Sequence, residues 1–215
     1  MSNEQSERNL TITLEQLIQS TPLSIERTDI VAPYIIAEAG VNHEGSIETA
    51  KRLIYEAAEA GADAIKFQTY RAESIASKYS PAYWDMEKEP TDSQYKLFKK
   101  YDKFWKSEFE ELKKCCEESN IEFLSTSFDI ESAEFLNDLM GVFKISSSDL
   151  TNKPFIELLC KYGKPVLLST GASNIDEIDR AISWIDAEGV PVALLHCVLN
   201  YPTANIDANL SMIGV

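Results

Sequence analysis

The sequence is poor in positive charge. Its 215 residues include 20 Lys and Arg against 35 Asp and Glu, and the formal net charge is -15. A surface of that sign repels nucleic acid and anionic lipids, so neither is expected as the main partner. An anionic small molecule would have to be held by a local cluster of Lys, Ser and Thr side chains, against the overall field.

Long apolar runs and cysteine motifs are missing as well. No apolar stretch of about 18 residues is present, so no membrane-spanning helix is expected. Residues 1–20 are polar and lack the apolar centre of a secretory signal. Cys115, Cys116, Cys160 and Cys197 show no CxxC spacing and are typical of reduced thiols, which predicts a cytoplasmic protein.

A glycine-rich dinucleotide motif is also absent. Gly40 and Gly45, which follow the first apolar segment, do not form the GxGxxG pattern. The chain instead contains six short apolar segments that end in polar residues, and each is predicted to form a strand. These predicted strands are Ile35–Glu38, Ala62–Phe67, Ile121–Ser125, Val142–Ile145, Pro165–Ser169 and Val192–Leu195.

Amphipathic helices are predicted between these strands. Four of them begin near Ser46, near Ser107, after Asp129 and after Asn174. At Ser107, Glu110 is expected to complete a capping box. Another helix covers about 153–161. Apolar strands that alternate with amphipathic helices imply an α/β fold with a parallel sheet covered by helices. Regular repetition with polar groups at the strand ends favours a (β/α)8 TIM barrel, and a doubly wound sheet is the alternative.

The sequence is expected to hold only part of such a barrel. About five strand–helix units and a sixth strand are present, fewer than a complete barrel needs. We therefore predict an N-terminal extension over 1–30 and a partial, truncated TIM-barrel domain over 31–215. Residues 10–30 fit either a small edge hairpin or a short helix. The segment 70–105 is too long for an ordinary connector and is predicted to be a functional loop with some helix of its own.

The predicted strand ends carry polar side chains that a barrel would gather at one site. Lys66 and Lys144 lie within apolar strands, where an ammonium group without a partner is costly to bury. With the hydroxyl groups of the strand ends they favour a site for a phosphate or carboxylate. Glu38 could serve in proton transfer and His196 could bind a metal or a hydroxyl. Serine and threonine runs at strand ends are also common as turn and N-cap residues, and Cys197 is interpreted as packing.

These strand ends resemble the motifs of the sialic acid synthase family, the N-acetylneuraminate synthases and their legionaminate and pseudaminate relatives. The motifs occur in the order in which the family has them, between about residues 34 and 204. They are IAEAGVNHEG at 36–45, IKFQT at 65–69, LSTSF at 124–128, FKISS at 143–147, LSTG at 168–171, and LHC at 195–197 with YPT at 201–203.

The resemblance implies a synthase that condenses phosphoenolpyruvate with an N-acetylated amino sugar, N-acetylmannosamine in the first instance. The products would be N-acetylneuraminate and phosphate, and legionaminate or pseudaminate synthesis is the alternative within the family. A divalent cation, Mn²⁺ or Mg²⁺, would orient the aldehyde and the water. The full-length enzyme would be a homodimer.

The residues that match the motifs acquire roles from the family. Glu38 would be the proton-transfer carboxylate, Lys66 and Lys144 would be catalytic residues that hold phosphoenolpyruvate, and His196 would be a metal ligand. Gln68 and Asp149 would face the sugar. The full set of implied substrate contacts is Asn42, His43, Gln68, Thr126, Ser147, Asp149, Ser169 and Tyr201, of which His43 is expected either to orient its loop or to touch substrate.

The sequence also departs from the family. Proline is frequent in the family at the position of Ser127, glycine at those of Ser146 and Ser148, and glutamate at that of Asp149. These differences affect the identity of the sugar more than the binding of phosphate. A second metal-binding histidine, an arginine from the partner subunit and a C-terminal antifreeze-like domain would lie beyond Val215.

Two functions of other classes stay open at this point. One is a non-catalytic fragment that binds a phosphorylated or carboxylated ligand or pairs with another chain. The other is an aldolase-like barrel in which Lys66 or Lys144 forms a Schiff base with its substrate.

Overall fold

The structure is a computed structural model that describes residues 13–20, 33–200 and 202–214. The strands are β1 Ile36–Gly40, β2 Ala64–Thr69, β3 Glu122–Ser127, β4 Phe143–Ile145, β5 Val166–Ser169 and β6 Val192–Leu195. The α-helices are α1 Leu14–Ser20, α2 Ile47–Glu59, α3 Ala72–Ile75, α4 Gln94–Tyr101, α5 Lys106–Glu118, α6 Ile130–Leu136, α7 Lys153–Cys160 and α8 Ile175–Ala187. Short 3₁₀ turns cover Ser147–Asp149, Asn205–Asp207 and Leu210–Gly214. In the part of the chain described, no helix is both long and apolar enough to cross a membrane.

The six strands form one parallel sheet in the order β1-β2-β3-β4-β5-β6. A doubly wound sheet reverses its strand order at a switch point, whereas a barrel adds each new strand beside the last. The unbroken order therefore confirms the predicted barrel-type fold. The sheet is an incomplete barrel of the (β/α)8 class, with helices along its outer face.

The outward-facing side chains of the strands make the larger core. Phe67, Phe123, Phe143 and Ile145 are almost fully buried against the helices. Alternation along each strand sends the neighbouring side chains to the inner face. Toward the amino-terminal ends of the strands, the inner face of the sheet is also apolar. Its cluster consists of Ala64, Leu124, Val142 and Leu167 together with Leu14 of α1.

Helix α1 covers the amino-terminal end of this inner face. The prediction left residues 10–30 open between hairpin and helix, and residues 14–20 are helical, while 21–30 lie outside the described residues. Glu122, the first residue of β3, accepts the Leu14 N–H at 2.9 Å and the Tyr34 hydroxyl at 2.5 Å. A seven-residue helix is not stable by itself, so α1 depends on these contacts and on the burial of Leu14.

Most predicted helix starts are confirmed, and one is corrected. Ser46, Asp129 and Asn174 each cap a helix through the side chain. The capping box predicted from Ser107 and Glu110 is wrong, because α5 begins one residue earlier than Ser107. Its N-cap is Trp105, whose N–H donates to Glu108 Oε2 at 2.9 Å.

The long segment after β2 contains α3 and α4, as predicted. Its two ends are joined to each other by Asp102, whose carboxylate is fully buried. That carboxylate accepts hydrogen bonds from Arg71 and the Ala72 N–H at 3.1 Å each and from Lys99 at 3.3 Å. The Arg71 guanidinium also lies 3.9 Å from the Trp105 ring centroid. The start and the end of the segment are therefore held together by these contacts.

Candidate active site

The centre of the candidate site is Lys66, which projects from β2 into the carboxyl-terminal end of the barrel. Its side chain is 7% exposed, and Nζ forms an ion pair of 2.8 Å with Glu38 Oε2. The two residues face each other across β1 and β2, because Glu38 is the Cα partner of Lys66 in the parallel register. Lys66 Nζ also donates to Thr126 Oγ1 at 3.4 Å. The carboxylate offsets part of the cost of burying the ammonium group.

Lys144 of β4 is the second buried lysine, and its partners are neutral. Its Nζ donates to the Ser169 hydroxyl and to the Ile145 carbonyl, both at 2.6 Å. Burial, followed by repulsion from the Lys66 ammonium group, lowers the pKa of Lys144 to about 8. Thr126, which accepts from Lys66, is the Cα partner of Lys144 across β3 and β4, so the two lysines lie in one site. Among the described residues Lys144 has no ion pair, so the pair of lysines carries positive charge that Glu38 alone does not neutralise.

Glu38 is the exposed member of this group. Its side chain is 62% exposed, whereas the lysines are buried beside it. The carboxylate thus lies at the solvent side of the cluster, where a ligand entering from the rim meets it. Such a group can exchange protons with a bound molecule while it remains paired with Lys66.

Further polar side chains lie at the carboxyl ends of β2 and β4, on the same rim as the lysines. Ser147 begins the 3₁₀ turn after β4, and its Oγ lies 3.2 Å from the position of a Cβ on Gly171. Asp149 ends that turn and accepts from Asn152 at 3.2 Å, and burial raises the pKa of its carboxyl. Gln68 lies next to Gly40. Gly40 has a φ of +53° and lies where the register of the β1–β2 pairing shifts.

The structure brings Glu38, Lys66, Thr126, Lys144 and Ser169 together, because all five side chains lie on the inner face of the strands. Ser147, Asp149 and Gln68 lie on the adjoining rim. Their roles toward a substrate remain predictions.

His43 and Asn42 lie outside this group. His43 is 2% exposed, and its ring stacks on Phe104 with a centroid distance of 4.0 Å. Nδ1 accepts the Gly45 N–H at 3.1 Å, and burial lowers the pKa of His43 to about 4. Of the two roles predicted for His43, this position fits the orientation of its loop. Asn42 is exposed in the same loop, and its contact with a substrate stays a prediction.

The one metal ligand predicted within this sequence is His196. His196 Nε2 lies 2.7 Å from the Ala208 carbonyl oxygen, which occupies one of its two nitrogens. Within residues 13–20, 33–200 and 202–214, no group of three His, Cys, Asp or Glu side chains could hold an ion. A divalent cation therefore stays a prediction, with His196 as its one predicted ligand among the described residues. Tyr201, a predicted substrate contact, lies outside the described residues.

Two positions of this rim were not singled out for the site by sequence reasoning. Gly171 donates its N–H to Cys197 Sγ at 3.0 Å, and Cys197 was interpreted as packing alone. A glycine directly after a strand-end hydroxyl pair is a signal for close backbone approach. The partner of that glycine could not be read from the sequence, because it comes from the next strand.

Fold and site together define a class of protein: a (β/α)8-type barrel with a cationic, hydroxyl-lined cluster at the carboxyl ends of its strands. The chain matches the model of the NeuB family over residues 53–215 and belongs to that family. The resemblance to the sialic acid synthases is thereby confirmed.

Individual relatives agree with this membership. An uncharacterised protein of Methanocaldococcus jannaschii is 43% identical over 182 residues, covering 84% of this chain and 50% of the relative. The N,N'-diacetyllegionaminic acid synthase of Campylobacter jejuni is 40% identical over 185 residues, covering 82% of this chain and 54% of the relative. A crystal structure of N-acetylneuraminic acid synthetase from Leptospira borgpetersenii, in complex with citrate, is 38% identical with a TM-score of 0.73 and covers 84% of this chain and 59% of that one. The chain spans about half the length of the curated relatives it matches.

Proposed function

We propose that the full-length protein is a nonulosonic acid synthase that condenses phosphoenolpyruvate with an N-acetylated aldose. The observation that carries the proposal is the pair of buried ammonium groups, Lys66 and Lys144, with Glu38 as their one carboxylate partner among the described residues. A ligand that bears both a phosphate and a carboxylate supplies the negative charge that this pair lacks. Membership of the NeuB family supports the same class of reaction.

In the proposed reaction, carbon 3 of phosphoenolpyruvate bonds to the aldehyde carbon of the open-chain sugar. Water adds to carbon 2. The bond between carbon 2 and the oxygen that carries the phosphoryl group then breaks, and phosphate leaves. Lys66 and Lys144 hold the anion. The hydroxyl groups that donate to its oxygens are those of Thr126, Ser147 and Ser169. Glu38 moves the proton that water loses and the aldehyde oxygen gains, and its negative charge favours a developing positive charge at carbon 2.

The sugar is proposed within a small set. The names of the relatives point to N-acetylneuraminic acid in one case and to a diacetylated legionaminic acid in the other. N-acetylmannosamine is therefore the first candidate, and an aldose with two acetamido groups is the second. A requirement for Mn²⁺ or Mg²⁺ and a homodimer are proposed on the family resemblance alone. A cytoplasmic location is proposed from the cysteines, which show no disulfide pattern.

The test is a coupled assay of phosphate release by the full-length protein with phosphoenolpyruvate, with and without Mn²⁺. We expect phosphate only when one of the candidate aldoses is present, together with an equal amount of sugar acid. The same assay after treatment with a chelator tests the cation requirement. No phosphate release with any such aldose would contradict the proposal.

The reduced pKa of Lys144 favours a second candidate function, an aldolase-like reaction through a Schiff base. In that reaction the neutral amine attacks a carbonyl group of the substrate and water leaves. Borohydride in the presence of pyruvate or an aldose would then attach the substrate permanently to Lys144. Mass spectrometry of the treated protein distinguishes the two functions, because the synthase forms no such adduct.

A further inference from the structure

Cys197 lies beside the anion site and has no part in the reaction proposed above. Its Sγ accepts the Gly171 N–H at 3.0 Å. The residue before that glycine, Thr170, donates both its N–H and its hydroxyl to the Leu195 carbonyl of β6, at 3.1 Å each. The turn after β5 is therefore attached to the end of β6 at two points, of which the sulfur is one.

The same sulfur helps to fill the space between this turn and the one after β4. A Cβ placed on Gly171 would lie 3.2 Å from Cys197 Sγ and 3.2 Å from Ser147 Oγ, closer than ordinary contact. Ser169, two residues before Gly171, is bonded to Lys144 Nζ at 2.6 Å. A shift of this turn would thus displace the Ser169 and Ser147 hydroxyl groups together.

We propose that Cys197 is a positioning residue of the anion site. Its sulfur holds the Ser169–Gly171 turn against β6 and limits the position of the Ser147 hydroxyl, without forming a bond to substrate. This role rests on the proposed function, in which Ser147 and Ser169 contact phosphoenolpyruvate. Displacement of such groups by a fraction of an ångström weakens the binding of the anion that they hold.

The test compares Cys197→Ala with Cys197→Ser in the full-length protein. Alanine removes the acceptor, whereas serine restores an acceptor of smaller radius. In Cys197→Ala we expect faster hydrogen exchange at the 169–172 amides and a rise in the KM for phosphoenolpyruvate on the order of tenfold. The kcat and the KM for the aldose should change little, and Cys197→Ser should recover most of the loss.

Gly171→Ala perturbs the same contact from the other side, so it should also raise the KM for phosphoenolpyruvate. Cys160→Ala is the matched control, because Cys160 is buried in α7 within the helical core. It should lower the melting temperature and leave that KM unchanged.

The outcomes separate the two proposals. Unchanged exchange at 169–172 in Cys197→Ala overturns the role of Cys197, whether or not the protein is active. Faster exchange with an unchanged KM also overturns it, since the contact would then be structural only. The third outcome is a wild-type protein that releases no phosphate, together with faster exchange in Cys197→Ala. It would overturn the proposed function, while the attachment of the turn by Cys197 would stand.

Discussion

Lys144 is held as an ammonium group in surroundings that disfavour its charge. Its pKa is lowered to about 8, first by burial and then by Lys66. Below that pH the free protein carries the charge that an anion needs. Above that pH, Lys144 has lost its proton and must take one up before it can pair with the anion. The affinity of the site for the anion therefore falls.

This gives a prediction for phosphoenolpyruvate binding between about pH 7 and pH 9.5, where the Kd should rise by up to about tenfold per pH unit above pH 8. Lys144→Arg keeps its charge throughout this range, so its Kd, whatever its value at neutral pH, should vary much less with pH. Isothermal titration calorimetry measures both. A wild-type Kd that stays constant to pH 9.5 would show that Lys144 does not titrate in the site.

His43 predicts an acid sensitivity of the fold. Its folded-state pKa is lowered to about 4, whereas an unfolded histidine titrates near 6.5. As the pH falls from 6.5 to 4, the unfolded chain binds a proton that the folded chain does not, and the free energy of unfolding should decrease by about 3 kcal/mol. His43→Phe keeps a ring on Phe104 and should lose this part of the pH dependence. Urea denaturation across this pH range is the measurement, and equal slopes in both proteins would contradict it.

At the scale of single elements, Glu122 connects α1 to the barrel. Its Oε2 accepts both the Leu14 N–H and the Tyr34 hydroxyl. Glu122→Ala leaves both donors without this acceptor and should lower the free energy of unfolding by roughly 1–3 kcal/mol. Glu122→Gln retains an acceptor and should cost less. Faster hydrogen exchange at 14–20 in the alanine variant alone is the expected sign, and full protection there would refute the connection.

The segment with α3 and α4 depends on Asp102 in a similar way. Asp102→Ala would leave Arg71 beside Trp105 without its buried carboxylate, and we expect a loss of about 3 kcal/mol in the free energy of unfolding. Limited proteolysis should then cut within 72–101. Asp92→Ala is the control, because Asp92 has only an exposed ion pair with Lys96 and should cost less than about 1 kcal/mol. Equal effects of the two substitutions would show that Asp102 does not fix the segment.

The elements show what can be predicted from the sequence and what cannot. All six strands lie within about two residues of their predicted positions, because apolar runs that end in polar residues are strong local signals. The inward direction of Lys66, Thr126 and Lys144 follows from alternation within those strands. His43 lies in a turn beyond β1, where alternation no longer applies, so its stacking on Phe104 was not predictable. The start of α5 was missed because its N-cap, Trp105, takes part through its backbone N–H and not through a typical capping side chain.

At the scale of the whole molecule, a protein of formal charge -15 concentrates two buried lysines at one end of its sheet. Parallel strands of a barrel bring their carboxyl ends to one rim, so residues 78 positions apart in the chain, Lys66 and Lys144, lie in the same cluster. The cationic site is therefore a product of topology and not of composition. Its placement on a NeuB-family chain is the basis of the proposed synthase activity.

Equilibrium binding of phosphoenolpyruvate to the full-length protein and its lysine variants tests this account most directly. We predict that Lys66→Ala and Lys144→Ala each weaken binding by a factor of about 100, as expected for the loss of a charge-assisted bond in a buried site. Lys153→Ala, which removes an exposed lysine from α7, should bind as the wild type does. Binding that survives both buried-lysine substitutions would contradict the assignment of the anion site.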